Sequence, residues 1–271
     1  MLFGTTGTIL VNAPEGADAW SVGCLRLLIG GVTLLVVARG RLVLARSTLL
    51  GAVGVAVFQL GYFLAVERTG VAVGTVVTIG SGPVLTGLIE AVRSRRPPGT
   101  TWMLGTGLCI AGVALLGLAG RSGSADGLGV LLAVSAGLGW ATFSTVAKHQ
   151  IDRGADSTAS LATLFVGGAL LLSPVLLRHT TGWVMSSRGA TVALTLGIAT
   201  VGLAYTLYGW ALRHLPTSTV ITLTLLEPIT ASLLAAMVVH EGIRGAGWLG
   251  IGLVLAGLVV TARDATTTVA A

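Results

Sequence analysis

LGTGLCIAGVAL at residues 104–115 and LGIGLVLAGLVV at residues 249–260 decide how this chain is read. They lie 145 positions apart and agree at six of twelve positions: Leu104/Leu249, Gly105/Gly250, Gly107/Gly252, Leu108/Leu253, Ala111/Ala256 and Gly112/Gly257. The same offset pairs Arg68 with Arg213 and Pro83 with Pro228. A chain rich in Ala, Gly, Leu and Val produces chance matches, but two aligned prolines, each inside an apolar stretch, are harder to obtain that way. An internal repeat sets the architecture before any single residue is weighed.

The 271 residues are 54% hydrophobic and 10% charged, against roughly 25% charged in soluble domains. Residues 71–89 and 189–212 carry no charge at all, and about 20 apolar residues cross a hydrocarbon core of about 30 Å. Ten spans would use about 200 residues and leave only short loops, with no separate soluble domain. The formal charge of +6 fits short basic loops that orient a membrane protein. No basic stripe is interleaved with aromatics, so nucleic acid is not a partner. Cys24 and Cys109 lie in apolar segments without metal-type spacing and read as packing residues. The first residues, MLFGTTG, lack the basic region of a signal peptide.

Hydrophobic runs bounded by charges, Gly and Pro predict helices at 2–12, 19–38, 48–66, 71–92, 101–119, 127–148, 158–177, 189–212, 216–239 and 245–262. Their length favours helices, since a membrane strand needs only about 10 residues. With a cytoplasmic N-terminus, inside segments hold ten basic residues: Arg39, Arg41, Arg46, Arg93, Arg95, Arg96, Lys148, Arg153, Arg213 and Arg263. Outside segments hold five: Arg68, Arg121, Arg178, Arg188 and Arg244. That bias puts both termini in the cytoplasm.

Each half holds five helices, residues 1–120 and 121–271. Five is odd, so the second half enters the membrane from the opposite side and the repeat is inverted. Gly16-Ala17-Asp18 also matches Gly154-Ala155-Asp156 at an offset of 138, which places Gly30 on Gly168. The seven residues between the two offsets fit a loop at 178–188. At offset 138, Met1 falls on Gly139, so the first half of helix 127–148 has no counterpart. Helix 2–12 would rise only about 17 Å. The expectation is a first helix shortened by a late start or truncation, a short or re-entrant first segment being the alternative.

Glu227, in TLLEPITASLL, is the foremost candidate for chemistry. An ionised acid at mid-membrane costs at least about 2.5 kcal/mol and must face protein, water or a partner, or be protonated. Proton coupling or cation binding is one role; bonding to backbone groups freed beside Pro228 is the other. Its repeat mate is Gly82, so an acid-based role is not duplicated. Pro83 and Pro228 predict kinks in equivalent helices. Thr75, Thr78 and Ser81, and Thr219, Thr222 and Thr224, either bond helices together or line a substrate path. Gln59, Tyr62, Trp140 and Tyr205 lie deeper than an interfacial belt would place them and are cavity-lining candidates. Arg26 either snorkels to the interface or pairs with a carboxylate, and Glu90 is expected to reach the basic cluster Arg93–Arg96. Gly245–Gly250 is a formal GxGxxG with no preceding strand, so no dinucleotide is implied. Gly70 and Gly74 form a GxxxG read as internal packing. No cofactor or metal ligand set is expected.

Taken together, CLRLLIGG at 24–31, the helix after Arg68 with Pro83, and LLEPITASLLAAMVVHEGI at 225–243 resemble the EamA family of the drug/metabolite transporter superfamily. The resemblance covers essentially the whole chain. It implies an all-α membrane protein of about ten helices in two repeats, with cytoplasmic termini and a central cavity. It also implies movement of small metabolites such as amino acids or amines, often outward. The short first helix departs from the pattern, as does Arg95-Arg96 where the second repeat has His240-Glu241. The expectation is a secondary transporter in the cytoplasmic membrane whose partners are a small-molecule substrate and the bilayer, with protons as a coupling ion. The alternative is a membrane-embedded enzyme acting on a lipid-linked substrate, which would need more than one mid-membrane acid.

Overall fold

The computed structural model describes residues 2–6, 9, 12–118, 126–179, 181–234, 237 and 245–269. Arg121, His240, Glu241 and Arg244 therefore lie outside the described residues. Among the described residues the chain is helical, with no strand. A 3-10 turn at Leu2–Thr5 stands where helix 2–12 is expected. The helices are α1 (Ala19–Val37), α2 (Thr48–Ser94), α3 (Thr100–Leu118), α4 (Gly127–Asp152), α5 (Ser157–Leu176), α6 (Ser187–Gly197), α7 (Ala204–His214), α8 (Thr217–Leu223), α9 (Glu227–Leu234) and α10 (Gly245–Val269). Among the described residues, six helical stretches are long and apolar enough to cross a membrane, with shorter apolar helices at Thr100–Leu115 and Gly245–Thr261.

Four further expected helices differ in form. Helices 48–66 and 71–92 run together as α2, of 47 residues. A straight helix would separate Tyr62 and Thr75 by about 20 Å, yet their side-chain oxygens are 3.1 Å apart. A Cβ at Gly74 would lie 3.0 Å from the Val66 backbone nitrogen. The helix thus folds back on itself near 66–74, and the small residue at 74 permits the approach. Helix 189–212 is α6 and α7 joined by a π-segment, Ile198–Leu203. Helix 216–239 is broken by a 3-10 turn, Thr224–Leu226, immediately before Glu227 and Pro228. Proline cannot donate the next helical hydrogen bond, and the break falls there.

Two compact units form: one from Leu60–Ala141 with Leu215–Ala271, the other from Leu2–Gln59 with Thr142–His214. In the first, α3 and α10 pack antiparallel through their glycines. A Cβ at Gly105 would meet Gly257 O at 2.9 Å, one at Gly112 would meet the Val254 nitrogen at 2.8 Å and also Gly250 O, and one at Gly257 would meet the Cys109 nitrogen at 2.8 Å. The two sequence-matched segments are therefore each other's packing partners: Gly105 lies on Gly257 and Gly112 on Gly250. Cys109, fully buried, points its Sγ to Val254 O at 3.5 Å. At the end of this unit Arg68 pairs with Asp126 at 3.1 Å, and that hydrogen bond holds the Asp126 carboxyl below its ordinary range.

In the second unit, α1 packs on α5 and on the π-segment. A Cβ at Gly31 would meet the Val166 nitrogen at 3.3 Å, and one at Gly30 would meet Gly197 O at 3.1 Å. The matched Gly-Ala-Asp triplets build the same local structure twice. Gly16 and Gly154 both take positive φ, 87° and 90°, which glycine adopts without strain. Asp18 and Asp156 then cap α1 and α5, accepting from Trp20 N and Ser21 N at 2.9 and 3.0 Å and from Ala159 N at 2.9 Å. The segment expected as a plain loop at 178–188 holds a 3-10 turn, Gly182–Met185. Its Trp183 is buried against α1 and donates to Ser21 Oγ at 3.0 Å.

Candidate functional site

In the first unit, Thr78, Ser81 and Trp140 meet where α2 crosses α4. Thr78 is 1% exposed and donates to Ala133 O at 3.2 Å. Ser81 sits against Gly137, whose Cβ would meet Ser81 Cβ and the Gly82 nitrogen at 3.2 Å. Trp140 lies across Gly82: a Cβ there would stand 2.9 Å from Trp140 Cε3 and 3.5 Å from Ile221 Cγ2. At Gly82, 145 residues before Glu227, an indole thus fills the space a side chain would need. Pro83 follows directly within α2.

Thr222 is fully buried, shares a 3.1 Å hydrogen bond with Thr106 Oγ1, and donates to Ser218 O. Thr106 is a site-region residue that sequence reasoning missed. Its only signal was a hydroxyl interrupting the apolar run LGTGLC. Glu227, half-buried, opens α9 just past the 3-10 break, where the orphan N–H groups of a helix start favour a carboxylate. Tyr62 bonds Thr75 at the reversal of α2.

Glu90 does something other than reach the arginines. Its Oε1 accepts from Ser218 N at 3.1 Å. It thereby caps α8, which follows Pro216 and has no side-chain cap of its own. No local pattern announces a cap from 128 residues away.

Gln59 and Tyr205 belong to the second unit. Gln59, 7% exposed, donates to Gly23 O at 2.9 Å. Tyr205 lies in an aromatic cluster with Phe3, Phe143, Phe165 and Tyr208, its ring 4.3 Å from that of Phe165. Tyr208 OH and Ser144 Oγ are 2.8 Å apart, a pair the sequence did not single out. Trp210, by contrast, is 61% exposed, as a belt residue would be. Arg26 stands on α1 one turn before Gly30, and its buried Nε has no hydrogen-bond partner among the described residues. Among the described residues, no three His, Cys, Asp or Glu side chains come together in a group that could hold a metal ion.

The chain is similar to known proteins over nearly its whole length. The EamA-like transporter family matches residues 1–118 and 127–263. A protein of Bacillus subtilis (strain 168) described as "Uncharacterized transporter YwfM" is 36% identical over 264 residues, covering 95% of this chain and 89% of that protein. A solved structure titled "Crystal structure of protein" superposes with a TM-score of 0.80 at 21% identity, over 98% of this chain and 94% of that one. That last likeness speaks to the fold.

Proposed function

The chain belongs to the EamA-like transporter family, and from that premise we propose that it is a secondary transporter that exports small metabolites such as amino acids or amines by alternating access. Family and relative point to a membrane transporter rather than an enzyme. The observation that carries the finer reading is the interrupted helix at Thr224–Leu226 with Glu227 at the start of its second half. Discontinuous helices are where transporters place polar groups in an apolar span. An acid there either pairs, as a carboxylate, with a substrate ammonium or takes up a proton and becomes neutral.

The proposed contacts in the first unit are Tyr62, Thr78, Ser81, Trp140, Thr222 and Glu227. Gln59 and Tyr205 carry the same proposal within the second unit. Pro83 and Pro228 act as kinks that free backbone carbonyls. Two repeats, 1–120 and 121–271, in inverted orientation, with both termini in the cytoplasm, complete the reading. The isologous packing of Gly105 and Gly112 on Gly257 and Gly250 supports it. Liposomes loaded with amino acids or amines, with and without a pH gradient, test the function. Saturable, ligand-selective efflux that loses its gradient response in Glu227→Gln is expected. Flux without ligand preference or gradient response would sink it.

A further inference from the structure

Where α1 ends, the chain turns sharply. Arg39 and Gly40 both take positive φ, 54° and 71°, and Gly40 N bonds back to Leu35 O at 2.9 Å. The next residues have no regular secondary structure and are pinned by hydrogen bonds. Val43 N donates to Thr163 Oγ1 at 2.9 Å, Thr48 Oγ1 donates to Val43 O at 2.9 Å, and Ala45 N donates to Thr48 Oγ1 at 2.9 Å. Gln150 Nε2 reaches the same Thr48 oxygen at 3.2 Å. Here Leu42 and Leu44 point away from the protein, 51% and 81% exposed, between Arg41 and Arg46.

Beside them lies a cleft of about 390 Å³ lined by Arg46, Ser47, His149, Gln150 and Arg153 among others. Its charge is uncompensated. Asp152 is taken by Lys148 at 2.8 Å, and the Asp156 carboxylate caps α5. Arg46 and Arg153 have no ion pair among the described residues. At the cleft, Gln150 Oε1 is buried without a donor. Because Thr48 gives its proton to Val43 O, the Gln150 amide must donate to Thr48, which leaves Oε1 as the open acceptor.

We infer that this cleft is a binding site for the headgroup of an anionic phospholipid, a phosphodiester bearing hydroxyls such as phosphatidylglycerol. Arg46 and Arg153 hold the phosphate, which guanidinium groups grip through paired N–H donors. Leu42 and Leu44 enter the acyl boundary, as apolar residues beside arginines do at a bilayer surface. A soluble anion would engage the arginines but leave the two leucines in water, and this is why the lipid is the occupant.

Native mass spectrometry of the full chain in detergent, with phosphatidylglycerol, phosphatidylcholine or inorganic phosphate added, tests this. Phosphatidylglycerol adducts are expected on the wild type, at least about tenfold weaker in Arg46→Gln/Arg153→Gln. They are expected unchanged in the charge-matched control Arg95→Gln/Arg96→Gln. Hydrogen exchange on the wild type alone should show lipid-dependent protection at 41–47 and 148–155, which does not depend on any variant folding. Equal retention of phosphatidylcholine, equal loss in the control, absent protection, or displacement of the lipid by millimolar inorganic phosphate would each overturn the inference.

Discussion

Four glycines in the matched segments 104–115 and 249–260 divide into two kinds, and alanine substitution should separate them. Gly112 and Gly257 face the partner helix across the α3–α10 contact, whereas a Cβ at Gly107 or Gly252 would meet nothing within 4 Å. At Gly257 the added carbon would stand 2.8 Å from the Cys109 backbone nitrogen, and at Gly112 it would stand 2.8 Å from that of Val254. Backbone cannot swing aside, and a Cβ at Gly112 would stand only 2.5 Å from Gly250 O, so the helices must part by roughly 0.9 Å to restore a contact of 3.4 Å. A gap of about 0.5–1 Å forfeits a quarter to a half of each dispersion contact along the seam. Overpacking of this kind costs about 1–3 kcal/mol. Against it, alanine for glycine in a helix gains about 0.8–1 kcal/mol. Gly257→Ala and Gly112→Ala should therefore lose up to about 2 kcal/mol net, while Gly107→Ala and Gly252→Ala should be neutral or gain up to about 1 kcal/mol. Thermal unfolding of the detergent-purified protein, followed by Trp fluorescence, reads the difference. Equal shifts at Gly107 and Gly257 would refute the packing argument, because composition and helix position are nearly the same at both.

Thr222→Val should cost about 1–3 kcal/mol by stranding the Thr106 hydroxyl, and Thr106→Val/Thr222→Val should recover most of it; thermal shifts of the three variants close the cycle. Burial works to raise the Asp18 carboxyl, but bonds from Ser21, His179 at 3.1 Å and Trp20 outweigh it and hold it below 3.8. A depressed folded value stabilises the fold above 3.8, and that contribution disappears as pH falls through the folded value. Asp18→Asn should keep the cap yet flatten this acid limb in a pH series of melting temperatures. Glu90→Ala should remove the cap on α8 at about 0.5–2 kcal/mol, with faster hydrogen exchange at Ser218, and an unchanged exchange rate there would deny the cap.

Legibility was uneven for physical reasons. Helix positions were readable because a bilayer demands long apolar runs, and α1, α4 and α5 start within a residue of the expected places. The Gly-Ala-Asp triplets were readable as repeats, and their local job, a positive-φ glycine before an aspartate cap, follows from residue chemistry alone. The two spans expected at 48–66 and 71–92 are present as Thr48–Thr69 and Val73–Ser94. What was not readable is how closely Gly74 approaches Val66 at the reversal between them, which no periodicity encodes. Among the candidate site residues, Thr78, Ser81 and Trp140 are neighbours. Gln59 and Tyr205 lie in the other unit, a division that cuts through α2 and α4 rather than between them.

The sequence by itself determined the membrane-spanning character, the family, the paired glycine segments and the acid beside an intrahelical proline. The family follows from the resemblance carried by residues 24–31 and 225–243, and the rest from composition and spacing, all properties of the chain before it folds. Tertiary structure alone decided which glycines are packed and which are open. It also turned Glu90 from its arginines to Ser218 and set Arg46 beside Arg153 in one cleft. In each case the partners are remote in sequence and are brought within reach only by the close approach of helices, a distance that packing sets and local preference does not.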